Sequence, residues 1–216
     1  LNEVGVEVPI IVDARGSGGG VLAERAKALG IRVENGKAIS KVFGKKRVEA
    51  ISICEHKDSG KGNEKIACDC IAMSGGWSPV VHLYSHCGGK LKWDEKMALF
   101  KPDSSAKPTS HDGLPFVTAV GSANGFLLMQ EVLKDAREGC LEVVEASGGK
   151  LKKESFKLIE QEYENSLEAI WIAPQDADIK KRSKIWLDFQ NDVKINDVEL
   201  AAREGFESVE HTKRYT

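Results

Sequence analysis

The order of apolar runs, glycines and amphipathic stretches predicts an α/β chain, an incomplete layer of strands and helices followed by a small helical domain. Three observations predict it. Val6–Asp13 is a short apolar run that closes on the cluster Gly16-Ser17-Gly18-Gly19-Gly20, as a buried strand does before a helix. Two further stretches, around Ala38–Cys54 and Phe116–Glu138, pair strand-like runs with glycine turns and with helical spacing. The last twenty-odd residues instead carry helix caps, with Asn196 ahead of Glu199, Gly205 as a stop and Ser208 as the next cap.

Taken in order, Val6–Asp13 reads as the first strand, with Pro9 near its start. Val21, Leu22, Ala26 and Leu29 recur at helical spacing, and Gly30 ends that helix. Ile31–Glu34 is a second strand. Ala38–Phe43 and Arg47–Cys54 form a hairpin about Gly44-Lys45-Lys46. Lys65–Ser74 is a further buried strand that ends in Gly75-Gly76. Residues 101–115 are a proline-bearing loop, Asp94-Glu95 a turn, and Phe116–Val120 a strand that feeds Gly121. A helix over about 124–138 is stopped by Gly139. Glu154–Leu167 reads as a surface helix, Ala169–Ala173 as a short strand and Lys180-Lys181-Arg182 as a solvated basic loop. The domain division that follows is 1–145, a connecting segment 146–184, and a helical domain 185–216.

Composition narrows the function classes. The 216 residues carry 31 basic and 33 acidic side chains, a formal charge of −2. That balance, and the acidic character of Asp192, Asp197, Glu199, Glu204, Glu207 and Glu210 in the terminal helices, argues against nucleic acid. No apolar run approaches the ~20 residues that span a bilayer, so no membrane partner is expected. Five cysteines without framework spacing suit a reducing, cytoplasmic setting. Cys68, Cys70, His82, His86 and Cys87 offer ligand atoms, but their spacing matches no standard zinc module, and no metal site is assigned. The chain opens at Leu1 in what reads as a helix end, and its first methionine is Met73, so it reads as a segment of a longer protein.

Two features near the first strand could face a nucleotide. The glycine cluster 16–20 lies where a phosphate-binding turn belongs, with Glu34 as a ribose-binding carboxylate, although Val21 replaces the third glycine of the usual pattern. Alternatively Val6–Asp13 is the second strand of such a unit, and Asp13 at its end accepts the ribose hydroxyls. The succession of helix, Gly30, strand, Gly36, antiparallel strands and Gly75 favours the second reading, since it resembles the pyridine-nucleotide half of a two-dinucleotide-binding, Rossmann-like flavoprotein fold. Ser74–Pro79 resembles the strand-end turn between the halves of such proteins, where Gly75 and Gly76 let backbone approach a cofactor. Ala119–Gly125 resembles their C-terminal flavin motif about Gly121, with Ser122 in the usual aspartate position. Asp13, Gly75, Gly76 and Gly121 are therefore the expected cofactor contacts. No residue has a derivable catalytic role.

Residues 71–102, with Ser-Gly-Gly-Trp-Ser-Pro, Gly-Lys-Leu-Lys-Trp-Asp-Glu and Phe100-Lys101-Pro102, resemble the alpha subunit of heterotetrameric sarcosine oxidase, and residues 187–216 resemble it more closely still. The resemblance implies a complex with beta, gamma and delta subunits that oxidatively demethylates sarcosine, a small secondary amine, to glycine. Hydrogen peroxide would form, and tetrahydrofolate would take the one-carbon unit. It implies NAD in this subunit, FAD and FMN in the assembled complex, and a folate domain beyond this segment. The terminal element also resembles a cysteine-cluster domain of related dehydrogenases. At the matching place stand Asp188-Phe189-Gln190-Asn191, which lack the thiolates of an iron–sulfur site. A scaffold subunit that binds nucleotide only structurally, or an oxidase of another secondary amine, are the alternatives.

Overall fold

The computed structural model describes residues 1–150 and 168–216, so the helix expected over Glu154–Leu167 lies outside the described residues. The chain divides into two compact units, residues 1–72 with 170–216, and residues 73–169.

In the first unit, β1 (Ile11–Asp13), α1 (Gly20–Ala28) and β2 (Val33–Asn35) form a strand–helix–strand unit. Its strands are parallel, with Ile11 opposite Val33 and Asp13 opposite Asn35. The first strand is shorter than its apolar run. Pro9 has no N–H to give a ladder, and pairing starts where Ile11 N–H meets Arg32 O at 2.8 Å. Helix α1 buries Ala23 and Ala26 and ends as expected at Gly30, whose φ is 79°.

An antiparallel sheet follows: β3 (Lys37–Phe43), β4 (Ala50–Glu55) and β5 (Glu64–Ala67), with β4 central. Ala50 to Cys54 are all buried, so this strand is the core of the sheet. Two sequence expectations shift here. Strand β4 starts at Ala50 rather than Arg47, because the turn runs on until Glu49 N–H closes on Phe43 O at 2.9 Å. Strand β5 stops at Ala67 rather than Ser74. Ala67 already faces Ala50, the first residue of β4, and beyond it there is no partner strand to pair with.

The second unit contains α2 (His82–His86), the hairpin β6 (Leu91–Asp94) and β7 (Leu99–Pro102), and α3 (Met129–Ala146). The hairpin turns at Asp94–Ala98, where the Asp94 carboxylate accepts Met97 N–H and the Lys101 ammonium, and Trp93 meets Phe100 edge-on at 5.0 Å. Tyr84 and Leu99 are buried, and the Tyr84 hydroxyl donates to Asp103 O at 3.0 Å. The helix differs most from the expectation. A short helical turn occupies Gly121–Asn124, and Gly125, with φ 96°, breaks it. Helix α3 starts only at Met129 and runs through Gly139 to Ala146. Phe116–Val120, expected as a strand, joins no sheet.

The rest of the first unit comprises α4 (Ile179–Arg182), the two-stranded β8 (Trp186–Asp188) and β9 (Val193–Lys194), and the helices α5 (Ile195–Arg203) and α6 (Val209–Tyr215). Trp171–Gln175 bends and turns rather than forming the strand expected over Ala169–Ala173. The basic run 180–182 is helical, capped by Asp178, whose Oδ1 accepts Lys181 N–H at 2.9 Å. It is also committed: the Lys181 ammonium binds the Ser59 and Gly60 carbonyls, and Arg182 pairs with Glu199 at 2.7 Å. Helix α5 starts at Ile195, and Lys194 takes the cap position, two residues before the expected cap at Asn196. Its N-terminal bond is Lys194 N–H to Asp197 Oδ2 at 2.8 Å. Gly205 and Ser208 act as the sequence indicates, with His211 N–H on Ser208 Oγ at 3.2 Å. Asp188 binds locally, its carboxylate accepting the Gln190 and Asn191 N–H groups. No helix among the described residues is long and apolar enough to cross a membrane.

Candidate functional site

Asp13 stands at the C-terminal end of β1, where open α/β layers present their ligand-binding groups. Its side chain keeps 16% of its surface. Arg15 engages both carboxylate oxygens: Nη2 donates to Oδ2 at 2.7 Å, Nε to Oδ1 at 3.0 Å, and the Arg15 backbone N–H to Oδ1 at 3.0 Å. This guanidinium fork holds the Asp13 carboxyl below the usual carboxylate range, against the opposing effect of partial burial. Gly18 folds across the same carboxylate so closely that a Cβ there would lie 2.5 Å from Oδ2. Gly36 N–H donates to Arg15 O at 3.0 Å, which ties the loop to the end of β2. The N-terminus of α1 opens beside it with no side-chain cap at Gly19.

The two nucleotide-facing features that the sequence offered as alternatives are thus one place. Gly18 of the glycine cluster packs on the Asp13 carboxylate. Glu34, the carboxylate of the competing reading, is taken by Arg32, whose Nε donates to it at 2.8 Å. Arg15 is the residue that sequence reasoning missed. The available signal was its spacing, a basic side chain two residues beyond a strand-end carboxylate.

A pH dependence follows from this pair. The native pKa of Asp13 is lowered, so the pair stabilises fully above the ordinary carboxylate value of ~3.9 and the contribution disappears as pH falls through the lowered native value. The difference in Tm between the parent protein and Asp13→Asn should be largest near neutrality and shrink toward zero in acid below that value. A difference constant across the acid range would show that the carboxylate charge is not the stabilising element.

The other three expected residues lie in the second unit. Gly75 and Gly76 sit on an exposed stretch with open space about them, and Gly76 has φ 100°. Gly121 is buried with φ 63°, a left-handed conformation that suits glycine. Its N–H donates to Asp135 Oδ2 at 2.6 Å, and Asn124 Nδ2 donates to Asp135 Oδ1 at 3.2 Å. The acid that the sequence lacks at Ser122 therefore reaches this turn from α3. Beside it lies a cavity of about 280 Å³ lined by Ala119, Val120, Asn124, Asp135 and Gly139, with the ion pair Lys107–Glu142 at its wall. Cys54 is buried, Cys68 half-buried, and Cys70, Cys87 and Cys140 are exposed. Among the described residues no three His, Cys, Asp or Glu side chains gather as a metal site.

Residues 182–216 match the sarcosine oxidase A3 domain family. The sarcosine oxidase subunit alpha of Rhizobium meliloti (strain 1021) is 33% identical over 219 residues, covering 100% of this chain and 20% of that protein. The protein of the same name from Corynebacterium sp. (strain P-1) is 28% identical over 222 residues, covering 97% and 21%. In structure the chain is similar to an L-proline dehydrogenase from P. horikoshii, with a TM-score of 0.60 and 16% identity over 96% of this chain and 39% of that one. That likeness supports the mixed α/β architecture, a partial dinucleotide-binding fold with a helical part. The chain is similar over its length to sarcosine oxidase alpha subunits, and it spans about a fifth of the length of the relatives it matches.

Proposed function

We propose that this segment is the nucleotide-holding framework of an amine-oxidising oxidoreductase subunit, a sarcosine oxidase alpha subunit that works with beta, gamma and delta partners. The whole-length likeness to proteins named sarcosine oxidase subunit alpha supports the reaction class: oxidative demethylation of sarcosine to glycine, with hydrogen peroxide formed and the one-carbon unit passed to tetrahydrofolate. NAD is the proposed ligand of this segment, while the complex carries FAD and FMN, which would supply the electron-transfer chemistry. No residue of the segment is assigned a catalytic role.

The observation that carries the nucleotide reading is Asp13, an ionised carboxylate at the end of a parallel strand, beside a glycine loop and a helix N-terminus. Ribose hydroxyls are donors, and a carboxylate accepts up to four hydrogen bonds. The donor–acceptor chemistry fits. Because Arg15 engages both oxygens, a diol would bind by turning that guanidinium aside. Gly75, Gly76 and Gly121 are proposed as positions of close backbone approach to cofactor.

The alternative is a scaffold reading, in which nucleotide is bound only to stabilise the subunit. The distinguishing experiment titrates NAD against the complete polypeptide and its Asp13→Ala variant. Loss of a charge-assisted hydrogen bond should weaken binding roughly tenfold or more. Unchanged affinity would remove Asp13 from the site. Weakened NAD affinity with unaltered sarcosine turnover would favour the scaffold.

A further inference from the structure

We propose that the β3–β4 hairpin is a basic docking surface for a carboxylate-rich face of a partner protein in the assembled enzyme. This rests on the multi-subunit part of the reading above and assigns a surface that the nucleotide reading does not use. The run Lys41-Val42-Phe43-Gly44-Lys45-Lys46-Arg47 carries four bases in seven residues. Strand register adds a fifth. Lys41 of β3 stands opposite Ser52 of β4, and Ser52 opposite Lys65 of β5, so both lysines project from one face of the sheet. One row along, Phe43, Ala50 and Ala67 share that face. The Phe43 ring lies 4.9 Å from the Lys41 ammonium and 4.5 Å from the Lys65 ammonium. The ring steadies each cation but removes none of the charge. Lys41, Lys45, Lys46, Arg47 and Lys65 are all exposed. Among the described residues none of the five forms an ion pair, nor does Glu49 of the same turn. The opposite end of the sheet is neutralised: Lys37 pairs with Glu55, and Arg32 with Glu64 of β5. Positive charge is thus segregated at one end of the sheet, on a chain whose formal charge is −2.

An uncompensated cluster of like charges repels itself, and an anionic partner relieves that repulsion. Chemistry selects the partner. Four of the five groups are lysines, point charges without the planar fork that favours phosphate. Phe43 is half-buried and already engaged by two ammonium groups, whereas a surface for nucleic acid keeps its aromatic rings open for bases to stack on. The turn Gly44–Arg47 has no apolar side chain to insert among lipid tails. Val42 is exposed, but it pairs in register with Ile51, and Ile51 with Ile66, on the other face of the sheet. Protein carboxylates fit what remains: compact acceptors for separate ammonium groups spread over two strands and a turn. Because the groups are exposed, the attraction is screened by salt, and it steers association and register.

The experiment uses the intact enzyme purified from its host and treated with a carbodiimide, which joins lysine amines directly to carboxylates in contact with them. Peptide mass spectrometry should find Lys45, Lys46 or Lys65 joined to Asp or Glu of a different polypeptide. A complex whose hairpin lysines stay unjoined, or join only within their own chain, overturns the inference. In a second arm Lys41→Gln, Lys45→Gln, Lys46→Gln and Lys65→Gln are combined in the complete polypeptide, and assembly is followed by sedimentation at low and high salt. Partner affinity should fall roughly tenfold or more at low salt, and its salt dependence should flatten. Amide exchange over residues 37–55 equal to the parent's shows that this variant is folded. Unchanged assembly of the folded variant overturns the inference, and the crosslinks decide alone where the variant does not fold. Vesicles containing phosphatidylserine are the membrane probe. Vesicle binding that the parent shows and the Gln variant loses, without crosslinks to another chain, overturns the inference in favour of a lipid surface. A parent that sediments as a single chain overturns the multi-subunit reading, and the inference with it.

Discussion

Ile53→Ala should destabilise the antiparallel sheet of the first unit by about 2–5 kcal/mol, the range for truncating a buried isoleucine. Ile53 is 2% exposed and lies in the central strand, opposite Ile39 on one side and Glu64 on the other. The loss has two parts: the removed methyl and methylene groups forfeit their transfer free energy, and the space they leave is closed only partly by strands that are hydrogen-bonded on both sides. Against a typical domain stability of ~5–15 kcal/mol, that is a large fraction. Hydrogen exchange is the suitable measurement, because it reads this sheet rather than the whole polypeptide. Peptides covering 37–55 and 64–67 should exchange much faster in the variant, and Ile53→Val, at about 0.5–1.5 kcal/mol, should fall between. Exchange equal to the parent's would mean that this strand is not the core of the unit.

Gly139→Val should destabilise the second unit by an amount in the ~1–3 kcal/mol range of overpacking, although helix propensity alone argues the other way for small substitutions. Within a helix, glycine is worse than alanine by about 1 kcal/mol. Here a Cβ would stand 2.4 Å from Val120 Cγ1 and 3.8 Å from Thr118 Cγ2. Val120 is β-branched and stiff about its first torsion, so it cannot turn away at low cost. The overlap therefore exceeds the propensity gain, and even Gly139→Ala should lower Tm, with valine worse than alanine. Both Gly139 and Val120 line the cavity beside Gly121, so the same variants should disturb the Asp135 bonds there. A rise in Tm for Gly139→Ala would show that α3 relaxes away from Val120 freely.

Gly139 also shows where the sequence misleads. A glycine after an amphipathic run reads as a helix stop, and Gly30 and Gly205 are such stops. Gly139 is not one. It lies mid-helix because Val120 needs the space, and only the packing of an extended segment against α3 reveals that. Strand β5 carries the same lesson. Lys65–Ser74 has strand character throughout, but a strand ends where its partner does, and β4 begins at Ala50.

The candidate site was half legible. Asp13 and the glycine cluster stand out because local signals mark them, a strand end followed by residues that permit a tight turn. Their identity as one site was not legible, since Gly18 reaches the Asp13 carboxylate only through the path of the loop. Nor was Asp135 legible as the acid serving Gly121, fourteen residues away in sequence. Family likeness, the α/β order, the hairpin and the terminal helix caps were determined by the sequence alone, because patterning, turn chemistry and capping act over a few neighbouring residues. Which carboxylates are already paired, which glycines exist for space and where each strand ends were decided only by the tertiary structure. Those properties depend on what the rest of the fold brings against a residue.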